Sequence, residues 1–251
     1  MTGSAAVQSR AFARAAETPR HTALVRVTHW MTTVCFLALL VSGLEIVVSH
    51  PRFYWGETGT VMDPPLFSFP IPSSRATVPT GYGYVLPDQN GWSRYLHFEA
   101  AWLLVLTGSL YFVAGLVTHH FTRNLLPGRG DLSWRALQGV LAKSLRPTQA
   151  TEADARSYNV VQKTTYLVVI FVLFPLVIWT GLAMSDGFVA ALPVAVTSLG
   201  GRQSARTLHF FVTVFLTLFL LVHLVMVYRA GFRARALAMI TGRGAAHPED
   251  Q

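Results

Sequence analysis

Four apolar runs, each long enough to cross a bilayer as a helix, govern what this 251-residue chain can become. About 20 helical residues span roughly 30 Å of hydrocarbon, and the runs fall at about Ala23 to Val48, Tyr95 to Val117, Val160 to Met184 and Thr207 to Tyr228. Inside lipid a segment has to satisfy its own backbone hydrogen bonds, so each run predicts a helix. The expected fold is all-α: an integral membrane four-helix bundle forming a single domain over residues 1–251. Only 13% of the residues are charged, against about 25% in soluble domains. Residues 1–20 are polar and lack the apolar centre of a cleaved signal, so the first span is expected to remain as an anchor.

Two longer connections separate the spans. Residues 51–92 are rich in Pro, Gly, Tyr and Trp and read as a turn-dense, ordered loop. Residues 120–158 are basic and polar, with a short helix expected around Leu132 to Lys143. Neither is long enough for a separate catalytic domain, and no internal repeat is evident. Fourteen of the twenty lysines and arginines fall in segments that a cytoplasmic N-terminus would place inside; Arg52, Arg75, Arg94, Arg202 and Arg206 would lie outside, and Lys163 at the inner edge. The positive-inside rule therefore predicts both termini in the cytoplasm of a bacterial cell, and a multi-pass protein of its cytoplasmic (inner) membrane. The net charge of +8 is an orientation signal and points to no nucleic-acid partner.

Four of the nine histidines, His29, His97, His209 and His223, fall inside the spans. Ionisable side chains at that depth are costly and mark function or interhelical hydrogen bonds. His209 and His223 are 14 residues apart, so they return to one helix face within about 40° and are separated by about 21 Å along the axis. With alternating span directions, depth pairs His29 with His223 on the inner side and His97, in the first turn of its span, with His209 on the outer side. Two separated histidine pairs suit two bis-histidine haem irons and fit poorly with zinc, which wants four clustered ligands. The single Cys35 excludes a Cys-x-x-Cys-His attachment site, so two non-covalent haem b groups are expected.

Arg26, Arg94 and Arg206 each stand three residues before a proposed ligand and on the same side of its helix. They can meet haem propionates or act as ordinary interfacial anchors. Gly43, Gly108, Gly115 and Gly181 allow close approach of a macrocycle or of another helix. Pro175 is expected to kink the third span. His119, His120, Gln162 and Lys163 gather at the inner level, where they would serve a quinone site or simply be solvated. Phe53, Tyr54 and Trp55 mark the outer interface or a docking surface.

These residues resemble the four-helix, di-haem cytochrome b subunits of nickel-iron hydrogenases and respiratory formate dehydrogenases. The resemblance runs from RHTALVRVTHW through YNVVQKTTYL and LFPLVIWTGLAMS to GGRQSARTLHF. It implies that His29, His97, His209 and His223 are the axial iron ligands. HPRFYWGE, YNVVQK and GGRQSARTLHF look most like the thiosulfate-reductase-type branch, which implies an exported molybdopterin oxidoreductase as partner; a hydrogenase or iron–sulfur subunit is the other periplasmic redox partner implied. The expectation is an electron-transfer subunit of an oxidoreductase complex, linking membrane quinone to that partner, with no substrate chemistry of its own. Alternatives are a histidine-lined transporter of protons or metal ions and a freestanding quinone-linked oxidoreductase.

Overall fold

The computed structural model describes residues 22–60, 62–70, 89–122, 126, 164–229 and 231–242. Four helices are long and apolar enough to cross a membrane: α1 (Ala23–Ser49), α2 (Gln89–Val117), α3 (Thr164–Leu182) and α6 (Arg202–Arg229). Shorter helices follow α3 and α6: α4 (Asp186–Ala191), α5 (Val194–Thr197) and α7 (Phe232–Thr241). The all-α expectation holds, with one addition. Strands β1 (Arg52–Phe53) and β2 (Phe67–Ser68) form a two-residue antiparallel ribbon in the first loop, pairing Arg52 with Ser68 and Phe53 with Phe67. The helix expected around Leu132 to Lys143 lies outside the described residues.

The chain divides into two compact units. The first contains Met1–Val47, Val85–Tyr111 and Thr217–Gln251. Here α7 ends against α1: Arg26 Nη1 donates to the Ile240 carbonyl at 2.8 Å and Trp30 Nε1 to the Met239 carbonyl at 3.2 Å. The last carbonyls of a helix have no partners within it and carry partial negative charge, so a guanidinium is well matched there. Gly242 ends α7 with φ of +81°, and a Cβ at that position would lie 2.9 Å from Arg26 Cζ.

The second unit contains Val48–Tyr84 and Phe112–Leu216. Its buried core is formed by Ala183, Ala195, Val196 and Ala205, and beside α6 lies an aromatic cluster in which the Phe53 ring stacks on Phe67 at 4.6 Å and meets Phe210 at 4.8 Å. Phe53 is 1% exposed, a burial that contributes about 1.5–3 kcal/mol. The ribbon is thereby fixed to α6. The Gly56 carbonyl accepts the N–H groups of Gln203 and Ser204, the Ser204 hydroxyl accepts the Gly56 N–H at 2.7 Å, and Glu57 Oε2 accepts the Arg202 N–H. Those donors belong to the first turn of α6, where no intrahelical acceptor exists. This cap explains why α6 begins at Arg202, five residues before the hydropathic run, through the polar stretch Arg202–Arg206. At the other connection, α2 begins at Gln89, which puts His97 two turns into the helix instead of one.

In α3 a π-turn at Val169–Leu173 precedes Pro175. A proline ring collides with the carbonyl four residues back, and widening the preceding turn relieves that collision. Farther along this unit, Phe121 folds back onto Gly115, where a Cβ would come within 2.4 Å of the ring.

Gly201 tests the α6 cap. Its φ is +115°, and a Cβ would lie 2.4 Å from the backbone C and O of Gly56. Gly201→Ala is expected to cost about 2 kcal/mol or more and to lower the temperature at which the detergent-solubilised protein loses monodispersity. Gly187→Ala, with nothing within 4 Å, should leave that temperature unchanged.

Candidate functional site

Histidines carried by apolar helices form the candidate site, and within each unit they meet defined partners. In the first unit the rings of His29 on α1 and His223 on α6 face each other with centroids 6.4 Å apart and planes inclined by 53°. His223 also stacks on Phe219, one turn earlier, at 5.8 Å, and Trp30 meets His29 edge-on at 5.5 Å.

The separation of His29 and His223 has chemical content. Two imidazoles on opposite sides of one metal ion, with bonds of about 2.0–2.1 Å and about 1.1 Å from nitrogen to ring centre, have centroids about 6.2–6.4 Å apart; tetrahedral ligands would be at about 5 Å. The observed 6.4 Å leaves room for one metal ion between the two rings. Among the described residues, no group of three or more His, Cys, Asp or Glu is arranged to hold a metal ion. A donor set of two histidines would hold a haem iron, which takes few donors from the protein, and does not fit a closed zinc site.

His97, also in the first unit, lies against α1. Its Nδ1 is 3.0 Å from the Ser42 hydroxyl, and a Cβ at Gly43 would stand 3.5 Å from its Cε1. In the second unit His209 repeats this arrangement on α3: Nδ1 is 3.0 Å from the Thr180 hydroxyl, and a Cβ at Gly181 would stand 3.5 Å from Cε1. Sequence reasoning missed Ser42 and Thr180. The signal was present: Ser42-Gly43-Leu44 recurs as Thr180-Gly181-Leu182, and Arg94-Tyr-Leu-His97-Phe98 as Arg206-Thr-Leu-His209-Phe210. The reading of no internal repeat is thus corrected, since these short elements recur with the same contacts.

The arginines have definite uses. Arg206 donates to the carbonyls of Arg52 (3.1 Å) and His50 and lies over the Phe53 ring at 4.8 Å. One residue on, the Thr207 hydroxyl donates to the Tyr54 carbonyl at 2.7 Å. Arg26 closes α7, as described above. Arg94 is exposed. Phe53 and Tyr54, read as interface or docking residues, are instead buried in this clamp, at 1% and 8% exposure, while Trp55 is exposed. The clamp satisfies the carbonyls of His50, Arg52 and Tyr54 around β1.

Of the residues expected at the inner level, His119 is exposed in a left-handed conformation with φ of +53°, and His120 packs edge-on against Phe121 at 6.0 Å. Gln162 and Lys163 lie outside the described residues.

A family model described as prokaryotic cytochrome b561 matches residues 20–242. A protein of Azospira oryzae named "Putative protein-methionine-sulfoxide reductase subunit YedZ1" is 28% identical over 227 residues, covering 88% of this chain and 96% of its own length. No solved structure matches.

Replacing Arg206 tests the clamp. Arg206→Gln removes a two-pronged donor and a cation over an aromatic ring, a loss of about 1–3 kcal/mol. Hydrogen exchange across residues 50–57 is expected to accelerate, whereas Arg94→Gln should leave it at the wild-type rate.

Proposed function

From the premise that this chain belongs to the prokaryotic cytochrome b561 family, and is thus a multi-pass membrane protein that binds haem b and transfers electrons, we propose a di-haem electron conduit between membrane quinone and a periplasmic redox partner. The 6.4 Å separation of His29 and His223 carries this reading. Those two histidines are assigned to the iron of an inner haem. His97 and His209 are assigned to the iron of an outer haem, a pairing that rests on their depth along the spans and on their matching local surroundings. When bound, haem b supplies a one-electron Fe(III)/Fe(II) couple.

The chain's own part is to hold neutral imidazoles at fixed spacing in an apolar surround and to place positive charge one turn away. Arg94, exposed one turn before His97, is assigned to a propionate. Arg26 and Arg206 contribute charge next to His29 and His209 while their guanidinium groups hold backbone carbonyls. The quinone site is assigned to the inner end of α2, at His119 and His120, with Gln162 and Lys163. Both termini are assigned to the cytoplasm and the protein to the bacterial inner membrane, on the distribution of arginines.

The partner is proposed to be an exported molybdopterin oxidoreductase of the kind served by the thiosulfate-reductase-type branch. The Azospira relative is named as a subunit of a protein-methionine-sulfoxide reductase, which supports a subunit role in which the substrate chemistry belongs to another chain.

The purified protein in detergent is expected to show a low-spin b-type spectrum on dithionite reduction and two haems per chain by pyridine haemochrome. His29→Ala or His223→Ala should remove one haem, and His97→Ala or His209→Ala the other. A haem-supplied preparation with no such spectrum would overturn the reading.

A further inference from the structure

We propose that Ser42 and Thr180 are positioning residues that hold His97 and His209 in the Nδ1–H tautomer, leave each Nε2 lone pair for iron, and strengthen each ring as an electron donor. The inference rests on the electron-transfer reading above and extends it to residues not assigned as iron ligands.

A hydroxyl has one proton, and both hydroxyls have spent theirs. Ser42 Oγ donates to the carbonyls of Ala38 at 2.7 Å and Leu39 at 3.2 Å; Thr180 Oγ1 donates to those of Leu176 at 2.8 Å and Val177 at 3.0 Å. What each oxygen offers the nearby ring at 3.0 Å is therefore a lone pair. With the hydroxyl protons placed on those carbonyls the ring nitrogen is the donor, and the His97 ring also meets the Leu39 carbonyl. Neutral imidazole with its proton on Nδ1 carries its free lone pair on Nε2, the state that a metal ligand requires.

Packing alone does not account for the pair. Ser42 and Thr180 are both 0% exposed, yet they differ by a methyl group, so shape is not what the two positions share. They share the hydroxyl, its bonds to carbonyls three and four residues back, and the 3.0 Å approach of Nδ1. An alanine would let the helices approach as closely, without a polar group to satisfy in an apolar setting. The constellation occurs twice, once in each unit, on different helices.

A hydrogen bond accepted from Nδ1–H raises the basicity of the ligand and so favours the ferric over the ferrous ion. Hydrogen bonding around the ligand is one of the levers by which a protein sets haem potential.

The test uses the full-length protein loaded with haem, titrated at the reduced b-type absorption band, with electron paramagnetic resonance of the ferric state. Ser42→Ala and Thr180→Val remove the hydroxyl; Ser42→Thr and Thr180→Ser keep it while changing bulk. In each hydroxyl-free variant the reduced-to-oxidised ratio of one haem, at fixed ambient potential, is expected to rise on the order of 10-fold, which for a one-electron couple is a shift of about 59 mV. The ferric signal should shift with it, and the hydroxyl-keeping variants should titrate like wild type. If Ser42→Ala or Thr180→Val loses a haem outright, retention by Ser42→Thr and Thr180→Ser carries the same conclusion. Wild-type titrations in the hydroxyl-free variants, or equal shifts or equal haem loss in both classes, overturn the inference. Wild-type protein without haem overturns the electron-transfer reading and this inference with it, whereas wild-type protein with two haems and unmoved variants overturns only the inference.

Discussion

Hydrocarbon offers no partner to a polar atom, so a hydroxyl, ring nitrogen or carbonyl on a spanning helix is costly unless it finds one within the protein. Much of what distinguishes this molecule follows from that constraint. Thr28, Thr33, Ser42, Thr118, Thr180 and Thr213 all donate to the carbonyl four residues back. Such back-bonding satisfies the donor but leaves the oxygen's lone pairs directed outward. At Ser42 and Thr180 an imidazole has been brought to meet them, so the arrangement that makes a polar residue tolerable in lipid also orients a histidine.

The same constraint applies in another form where helices end. The first-turn donors of α6 are satisfied by Gly56 and Glu57, and the last carbonyls of α7 by Arg26 and Trp30. In the second unit this ties HPRFYWGE to GGRQSARTLHF, the two phrases that carried much of the resemblance to cytochrome b subunits. They belong together physically: Gly201 can approach the Gly56 backbone only without a side chain, and Arg206 bonds the carbonyls of His50 and Arg52. The arginine one turn before His209 thus anchors a loop, which restrains the helix that carries this histidine.

An electron carrier has little chemistry to perform on its own side chains. Its task is to keep donor atoms at fixed separations so that little rearrangement accompanies a change in charge. In the proposed assignment, His29 and His223 would meet that need with only two protein donors, the cofactor supplying the rest. A metal ion held by protein alone would need the cluster of further donors that the described residues lack.

The sequence by itself determined the four spans, the all-α class and the four intramembrane histidines, because hydropathy and the 3.6-residue repeat are properties of a contiguous stretch of chain. It also determined that His209 and His223 share a face of one helix. Tertiary structure alone decided which residues meet those histidines and where the arginines close. Ser42 and His97 are 55 residues apart, Thr180 and His209 are 29 apart, and Arg206 and His50 are 156 apart. A helix in lipid is apolar toward its neighbours and toward the membrane alike, so its sequence carries little of the amphipathic pattern that reveals the inward face of a soluble helix. Rotation about the helix axis and register between helices come instead from packing and from pairing of the few polar atoms. For the same reason Phe53 and Tyr54 resembled interfacial anchors in the sequence and became the buried side of a clamp once α6 was beside them.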